Sequence, residues 1–226
     1  MSNSDYEVVS ENLAREADRS YGQYCGLARS LDLVGERWAL LVVRELLLGP
    51  KRFTDLLDGL PGVSTNVLAT RLRQLERAGV LERKVLPPPA ASSVYELTGY
   101  GRALEPAVAA LGRWGAASLA ERGPDQVLRS HWLALALKAF FHADAAAGVT
   151  RVYEARLREG AFRLAVTDGT LEVGPATGDG ADLTLEADDD ALVGVLAGRL
   201  EPGAVTVAEG DPAELARFVE LFRFAP

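Results

Sequence analysis

The sequence predicts an α+β protein, with a mostly helical N-terminal domain that carries one β-hairpin and a second domain that places helices on an antiparallel sheet. One reason is the hydrophobic period, which is helical before Gly123-Pro124 and largely alternating after one further helix. A second reason is the distribution of charge. Residues 1–122 hold 15 Lys and Arg and 15 Asp and Glu, whereas residues 123–226 hold 9 Lys and Arg and 17 Asp and Glu. The length of 226 residues suits one large domain or two ordinary ones, and we place two domains at 1–122 and 123–226.

Composition narrows the class of protein. Hydrophobic residues make up 48% and charged residues 25%, which is typical of a globular chain. Apolar runs such as Ala39–Val43 are too short to span a membrane, and the polar start, Met1–Glu7, is unlike a signal or transit peptide. One cysteine and two histidines leave little for disulfide or metal chemistry. We therefore expect a cytoplasmic protein without a metal or cofactor.

The elements of the first domain follow the order of a winged helix-turn-helix. Residues 1–20 are polar and predict a frayed arm or a helix that contacts a partner. Four helices, a hairpin and a last long helix are then predicted. The helices span Cys25–Val34, Arg37–Leu48, Phe53–Leu57 and Ser64 to about Ala78, the strands span Val80–Leu86 and Val94–Leu97 around the loop Pro87–Ser93, and the last helix ends near Leu119.

The fourth helix has two distinct faces. On a helical wheel, Leu68, Leu72 and Leu75 lie within about 60° of each other and form a buried stripe. The opposite face carries Asn66, Thr70, Arg73 and Arg77. Arginine can pair with guanine, asparagine with adenine, and threonine with a phosphate or a methyl group, so this face suits a DNA major groove. An ordinary solvated helix face has the same composition, and this alternative stays open.

Further candidate DNA contacts surround this helix. Lys51 and Arg52 form a basic pair before the third helix. The fourth helix adds its cap, Ser64, its first residue, Thr65, and Arg71, and the hairpin adds Lys84. Arg71 lies about 60° from the leucine stripe, so a phosphate contact and an intramolecular ion pair are equally open. We expect Lys84 to anchor phosphate without reading sequence.

The last helix of this domain is a candidate dimerisation element. Leu104, Val108, Leu111 and Trp114 lie along one side of it, and Pro106 predicts a kink or the start of a second segment. One reading helix offers limited discrimination, so we expect a homodimer on a palindromic operator of double-stranded DNA. The half-sites are expected about one helical turn apart.

Together these motifs resemble the HxlR-type transcriptional regulators, relatives of the MarR group, over roughly residues 25–115. The matching segments are Cys25, Leu33–Trp38, Gly49–Phe53, Leu60–Ser64, Leu68–Glu76, Tyr95–Thr98 and Trp114. The resemblance implies a winged helix-turn-helix that binds DNA and regulates transcription. The sequence departs from the family at Arg37, where Lys is usual, and in the loop Pro87–Ser93, which has no basic residue for insertion into a minor groove.

Cys25 has two interpretations. Some regulators of this type use a cysteine near this place for intermolecular disulfides, which would make Cys25 a redox sensor. A free cysteine is more often a small buried hydrophobe, and we prefer that interpretation.

The second domain begins with a helix, predicted over 126–147, that is apolar around most of its circumference. His131 and His142 share a face of it but lie about 16 Å apart, too far to bind one metal ion. Alternating strands follow, with a tight turn at Asp168-Gly169, and then two short helices with a strand between them. The strands cover Tyr153–Leu157, Phe162–Val166, Leu171–Val173, Leu183–Leu185 and Val205–Val207, the first short helix covers 189–198, and the last helix begins at Asp211 with a capping box to Glu214.

Roughly residues 126–224 resemble the sterol-carrier-protein-like domains. The segments that carry the resemblance are the strand pair around Asp168-Gly169, Asp182–Leu185, Leu196–Leu200 and Glu209–Leu215. It implies an apolar tunnel and hence an apolar small-molecule or lipid-like ligand. The candidate lining residues serve equally well as plain core, and they are Trp132, Leu135, Phe140, Phe141, Phe218 and Phe222.

Three hypotheses of function follow. An enzyme is not expected, because the sequence shows no nucleophile–base–acid set, phosphate-binding glycine loop or metal-ligand spacing. The first hypothesis is a transcription factor that responds to a hydrophobic ligand of the second domain. The second is a lipid carrier whose winged helix contacts protein, and the third is a redox regulator that senses through Cys25. The polar face of the fourth helix favours the first hypothesis over the second.

Overall fold

The computed structural model describes residues 20–87, 92–119, 122–176, 178 and 180–224. The chain divides into two units, Met1–Val108 and Ala109–Pro226. This division falls within a helix that the sequence assigns to the first domain, and the predicted boundary between residues 122 and 123 remains a prediction. None of the helices described has the length and apolar character that crossing a bilayer requires.

The first unit contains the predicted helices and hairpin in the predicted order. Its elements are α1 (Gly26–Val34), α2 (Ala39–Leu47), α3 (Phe53–Gly59), α4 (Thr65–Arg77), β1 (Leu81–Val85), β2 (Ser93–Leu97) and α5 (Gly99–Arg102), and α6 (Glu105–Ala116) runs from this unit into the next. Pro106 stands in the first turn of α6, where a proline is tolerated, so it marks the start of a second segment. The polar arm up to residue 19 and residues 88–91 of the predicted loop lie outside the described residues.

Local signals set both ends of α4. Ser64 has extended backbone, and its Oγ accepts the Val67 N–H at 3.4 Å, which satisfies one unpaired donor of the first turn. Gly79 follows the helix with a φ of +68°, a conformation that favours glycine. Between these ends, the leucine stripe of α4 is fully buried in the core of the unit, together with Leu46 of α2 and Leu56 of α3.

The hairpin is joined by backbone to the start of α3. Strands β1 and β2 pair antiparallel from Leu81 opposite Leu97 to Val85 opposite Ser93. The Lys51 N–H donates to the Tyr95 carbonyl at 3.0 Å, and the Tyr95 N–H donates to the Lys51 carbonyl at 2.8 Å. The segment before α3 therefore acts as a short third strand of the wing.

The second unit is built on a mixed five-stranded sheet. Its elements are α7 (Ser130–Ala139), β3 (Thr150–Leu157), β4 (Gly160–Thr167), β5 (Thr170–Pro175), β6 (Leu183–Glu186), α8 (Asp189–Leu196), a 3₁₀ turn (Pro202–Ala204), β7 (Thr206–Gly210) and α9 (Glu214–Phe222). The strand order is β5-β4-β3-β6-β7. The expectation of an antiparallel sheet is wrong at one pair, because β6 runs parallel to β3. The reason is the connection after β5, which crosses to the far side of β3 instead of returning as a hairpin.

Helix α7 is much shorter than the helix predicted over 126–147. It begins at Ser130, whose buried Oγ donates to Asp189 Oδ1 at 2.8 Å. After its last residue the chain turns, and the His142 N–H donates to the Leu221 carbonyl at 2.9 Å. The His142 N–H therefore bonds to a distant segment instead of continuing the helix that the apolar sequence favours, and the Ser130 side chain ties the start of α7 to α8.

Turn and capping residues in the second unit are partly as predicted. Asp168-Gly169 forms the tight turn between β4 and β5, with φ of +44° and +78°. Helix α9 begins later than the predicted Asp211, although Asp211 Oδ1 accepts the Ala213 N–H at 2.9 Å and so acts as a cap. The Glu214 carboxylate pairs with Arg151 at 3.4 Å rather than closing a capping box.

Candidate nucleic-acid interface

Helix α4 presents one polar face to solvent. The exposed residues on it include Thr65, Asn66, Thr70, Arg73 and Arg77. The two faces predicted from the helical period are therefore present in the structure. The Arg73 guanidinium donates to Thr70 Oγ1 at 3.2 Å, which orients one reading candidate along the helix. The N-terminus of α4 adds backbone N–H groups and the positive end of the helix dipole, both of which favour phosphate.

Arg71 points in the opposite direction. Its residue surface is only 9% exposed, and its guanidinium donates to Gln74 Oε1 at 2.5 Å and to Glu36 Oε2 at 3.3 Å. Of the two roles open for Arg71, the structure places the side chain in the ion pair. A phosphate contact by Arg71 remains a prediction that would require this pair to open.

The two basic residues before α3 have different environments. The Lys51 ammonium lies 2.6 Å from the buried Glu45 carboxylate, so its charge is already paired inside the unit. Arg52 is exposed, and its Nε donates to Ser92 Oγ at 3.2 Å beside the loop of the wing. Its backbone N–H donates to Asp55 Oδ2 at 3.0 Å, which closes the first turn of α3. Arg52 is therefore better placed than Lys51 to reach DNA.

On the wing, the Lys84 ammonium lies 3.0 Å from both Glu82 and Glu96. Hydrogen bonds to these two carboxylates raise the pKa of Lys84, and their charges compensate its own. The adjacent Arg83 is exposed, and its Nε donates to Ser93 Oγ at 2.5 Å across the hairpin. Arg83 is not among the candidates drawn from the sequence. The alternation of side chains along β1 is the sequence signal that separates Arg83 from Lys84.

Cys25 is exposed, so its interpretation as a small buried hydrophobe is wrong. Residues 20–24, which precede it, are themselves exposed and leave the start of α1 uncovered. Cys25 stands at the N-cap of α1 with extended backbone. Backbone N–H groups of Ala28 and Leu27 lower the pKa of its thiol because they stabilise the thiolate.

The aromatic residues proposed to line a tunnel pack against each other. Phe218 and Phe222 are fully buried, with ring centroids 4.8 Å apart. Phe141 lies 5.6 Å from Phe222, and Phe140 lies 4.7 Å from Phe224. The other two candidates, Trp132 and Leu135, are partly buried on α7. This packing is that of a closed aromatic core, and the ligand-lining role of these residues remains a prediction.

A surface pocket of about 380 Å³ lies beside this core and is lined by both polar and apolar residues. Its lining includes Phe141, His142, Asp144, Glu220 and Arg223, so it shares one residue with the predicted ligand site. His142 Nε2 lies 3.0 Å from the Arg223 carbonyl. Within the described parts of the chain, no three His, Cys, Asp or Glu side chains are grouped as a metal site would require.

Comparison with known proteins places residues 33–122 in the HxlR-like helix-turn-helix family. The HTH-type transcriptional regulator sll1512 of Synechocystis sp. is 42% identical over 94 residues, which cover 42% of this chain and 70% of that protein. The HTH-type transcriptional regulator YodB of Bacillus subtilis is 36% identical over 85 residues, which cover 38% of this chain and 76% of YodB. These relatives are named as regulators of transcription and not as enzymes.

Solved structures give the same kind of match. The redox regulator HypR in its oxidised form is 30% identical, with 42% of this chain and 99% of HypR covered and a TM-score of 0.40. Reduced YodB of B. subtilis is 35% identical, with 45% of this chain and 99% of YodB covered and a TM-score of 0.38. TM-scores this low do not establish a fold, so the family membership rests on the sequence matches. The resemblance of residues 126–224 to sterol-carrier-like domains remains a prediction.

Proposed function

Because this chain belongs to the HxlR-like helix-turn-helix family of DNA-binding transcriptional regulators, we propose that it recognises a specific operator through the exposed face of α4. The observation that carries this proposal is the division of α4 into a fully buried leucine stripe and an opposite face of exposed polar side chains. In the proposed complex this face enters the major groove, where Asn66 and Arg73 contact base edges. Arg77 and the N-terminus of α4 contact phosphates and set the register.

The operator is proposed to be palindromic and bound by a homodimer. Leu111 is 51% exposed and Trp114 is 80% exposed on α6, whereas Leu104 and Val108, which were predicted on the same side, pack against the core of the first unit. Exposed large apolar residues at helical spacing are typical of a surface that a second subunit covers. Two copies of α4 would then read two half-sites about one helical turn apart.

The test begins with DNA selected from random sequence by the full-length protein. Arg73→Ala should weaken binding to the selected duplex by roughly 1–3 kcal/mol and relax preference at one base pair of each half-site, because a bidentate contact is lost. Arg217→Ala, an exposed arginine of α9, is the matched control and should bind like the wild type. If Arg73→Ala binds the selected duplex with unchanged affinity and unchanged base preference, α4 does not read the operator.

A second candidate function is thiol-dependent control of DNA binding. The specific observation is Cys25, an exposed thiol with a lowered pKa at a helix N-terminus, which is the environment of reactive cysteines. One relative, HypR, is named a redox regulator, and YodB has been solved with quinone bound. Oxidant or quinone treatment should change the operator affinity of the wild type and leave Cys25→Ser unaffected. Equal responses of both proteins would exclude Cys25 as the sensor.

Control by an apolar ligand in the second unit has weaker support. The full burial of Phe218 and Phe222 favours their role as core. A lipid carrier whose winged helix contacts protein is also less favoured, since the relatives named above are HTH-type regulators. Deleting residues 125–226 separates these possibilities. If the second unit senses a ligand, an apolar extract should change the DNA affinity of the full-length protein only.

A further inference from the structure

Glu45 is an acidic residue in the apolar core of the first unit. It lies on α2, and its side chain is 0% exposed. The hydrophobic core to which α2 contributes includes Val42, Val43 and Leu46 of the same helix, all fully buried. A buried carboxylate is costly unless cations and hydrogen-bond donors pair with it. An acidic residue here therefore needs partners of its own.

Two cations pair with the Glu45 carboxylate. Lys51 Nζ lies 2.6 Å from Oε2, and Arg44 Nη2 lies 2.8 Å from Oε1. The side chains of Lys51 and Arg44 are only 19% and 22% exposed, so both are partly withdrawn from water. Burial lowers the pKa of the Arg44 guanidinium, and the charge of Glu45 opposes that shift. The three side chains thus form one partly buried charged cluster.

The same carboxylate closely approaches Gly59. A Cβ at position 59 would lie 2.6 Å from Glu45 Oε2, well inside the distance that carbon and oxygen keep, so a side chain here would displace the carboxylate. Lys51 lies just before the start of α3, and Gly59 is the last residue of α3. One carboxylate therefore contacts both ends of α3, the helix that precedes α4 in the helix-turn-helix.

We propose that Glu45 is a positioning residue for DNA recognition, because it holds both ends of α3 and thereby sets the place of α4 relative to the wing. Lys51 supplies the connection to the wing, since its backbone pairs with Tyr95 on β2. Lys51 then acts through Glu45 and not through a DNA phosphate. This inference rests on the proposed function of α4 as the reading helix.

The test uses Glu45→Gln, Lys51→Met and the double variant, each in the full-length protein. Lys51→Met takes one of its two cations from Glu45, and Glu45→Gln removes the carboxylate that Lys51 and Arg44 share, whereas the double variant removes the Glu45–Lys51 pair as a whole. Both single variants should unfold at lower urea concentration, and the double variant should recover part of the loss, since Arg44 still loses the charge of Glu45. All three should bind the selected operator about tenfold more weakly, a change of about 1.4 kcal/mol, with the salt dependence of the wild type.

The double variant decides between stability and positioning. If it regains both stability and full operator affinity, Glu45 only stabilises the fold and the proposal is overturned. If Lys51→Met lowers the salt slope by about 0.9 per subunit, Lys51 contacts a phosphate and its assigned role is overturned. Glu172→Gln, on the exposed side of β5, is the matched control and should change neither quantity. Failure of the proposed function is recognised separately, through unchanged operator binding by Arg73→Ala.

Discussion

Arg71 and Arg73 lie two residues apart on α4 and have opposite environments. Arg71 is buried against Glu36 and Gln74, whereas Arg73 is exposed beside Thr70. We expect Arg71→Ala to lower the free energy of unfolding by about 1–2 kcal/mol, since charge-assisted hydrogen bonds are lost, and to leave base preference unchanged. Arg73→Ala should leave the free energy of unfolding unchanged and relax the base preference. Chemical denaturation and DNA selection on both variants check this. If Arg71→Ala reduces the salt dependence of DNA binding and does not lower the free energy of unfolding, Arg71 contacts a phosphate.

At the residue scale, the sequence predicted what depends on neighbours within one helix. The exposure of Asn66 and Arg73 follows from the 3.6-residue period and is present in the structure. The partner of Arg71 was not predictable in this way, because Glu36 is 35 residues away in the chain. The exposure of Cys25 was also missed, since burial depends on which other segments cover a residue and not on its own chemistry.

Helices α4 and α7 show the same distinction at the scale of an element. The ends of α4 are specified locally, by a serine cap and a glycine stop, and were predicted. The ends of α7 are specified by hydrogen bonds to residues far along the chain, so its apolar run predicted a helix that is too long. The parallel pairing of β3 with β6 was missed for a related reason, because alternation reports the faces of a strand and not its direction.

Ser130→Ala tests whether the start of α7 depends on its contact with Asp189. Ser130 is fully buried, and its Oγ donates to both carboxylate oxygens of Asp189, at 2.8 and 3.1 Å. Removing the hydroxyl leaves a buried carboxylate short of a donor, so unfolding should become easier by about 1–3 kcal/mol. Faster hydrogen exchange of the α7 amides would report this locally. Ser118→Ala, at an exposed site, should have no comparable effect.

On the scale of the whole molecule, the net charge of −8 limits how much basic surface can meet DNA. The acidic excess lies in residues 123–226, and in the first unit Lys51, Arg71 and Lys84 have carboxylate partners. The basic side chains that we propose as DNA contacts are exposed around α4 and the wing, and they are Arg52, Arg73, Arg77 and Arg83. DNA binding should therefore depend on few charges.

This count predicts the salt dependence of operator binding. Because Arg73 is assigned to a base edge, the phosphate contacts counted are those of Arg52, Arg77 and Arg83. In two subunits they give a slope of log affinity against log salt of about −5, whereas adding Lys51, Arg71 and Lys84 would give about −11. Titration of the full-length protein with the selected duplex between low and moderate salt measures this slope. Lys84→Ala then serves as the internal check, because Glu82 and Glu96 already compensate the charge that it removes. A fall of about 0.9 per subunit in that variant would mean that Lys84 exchanges its glutamates for phosphate when DNA binds.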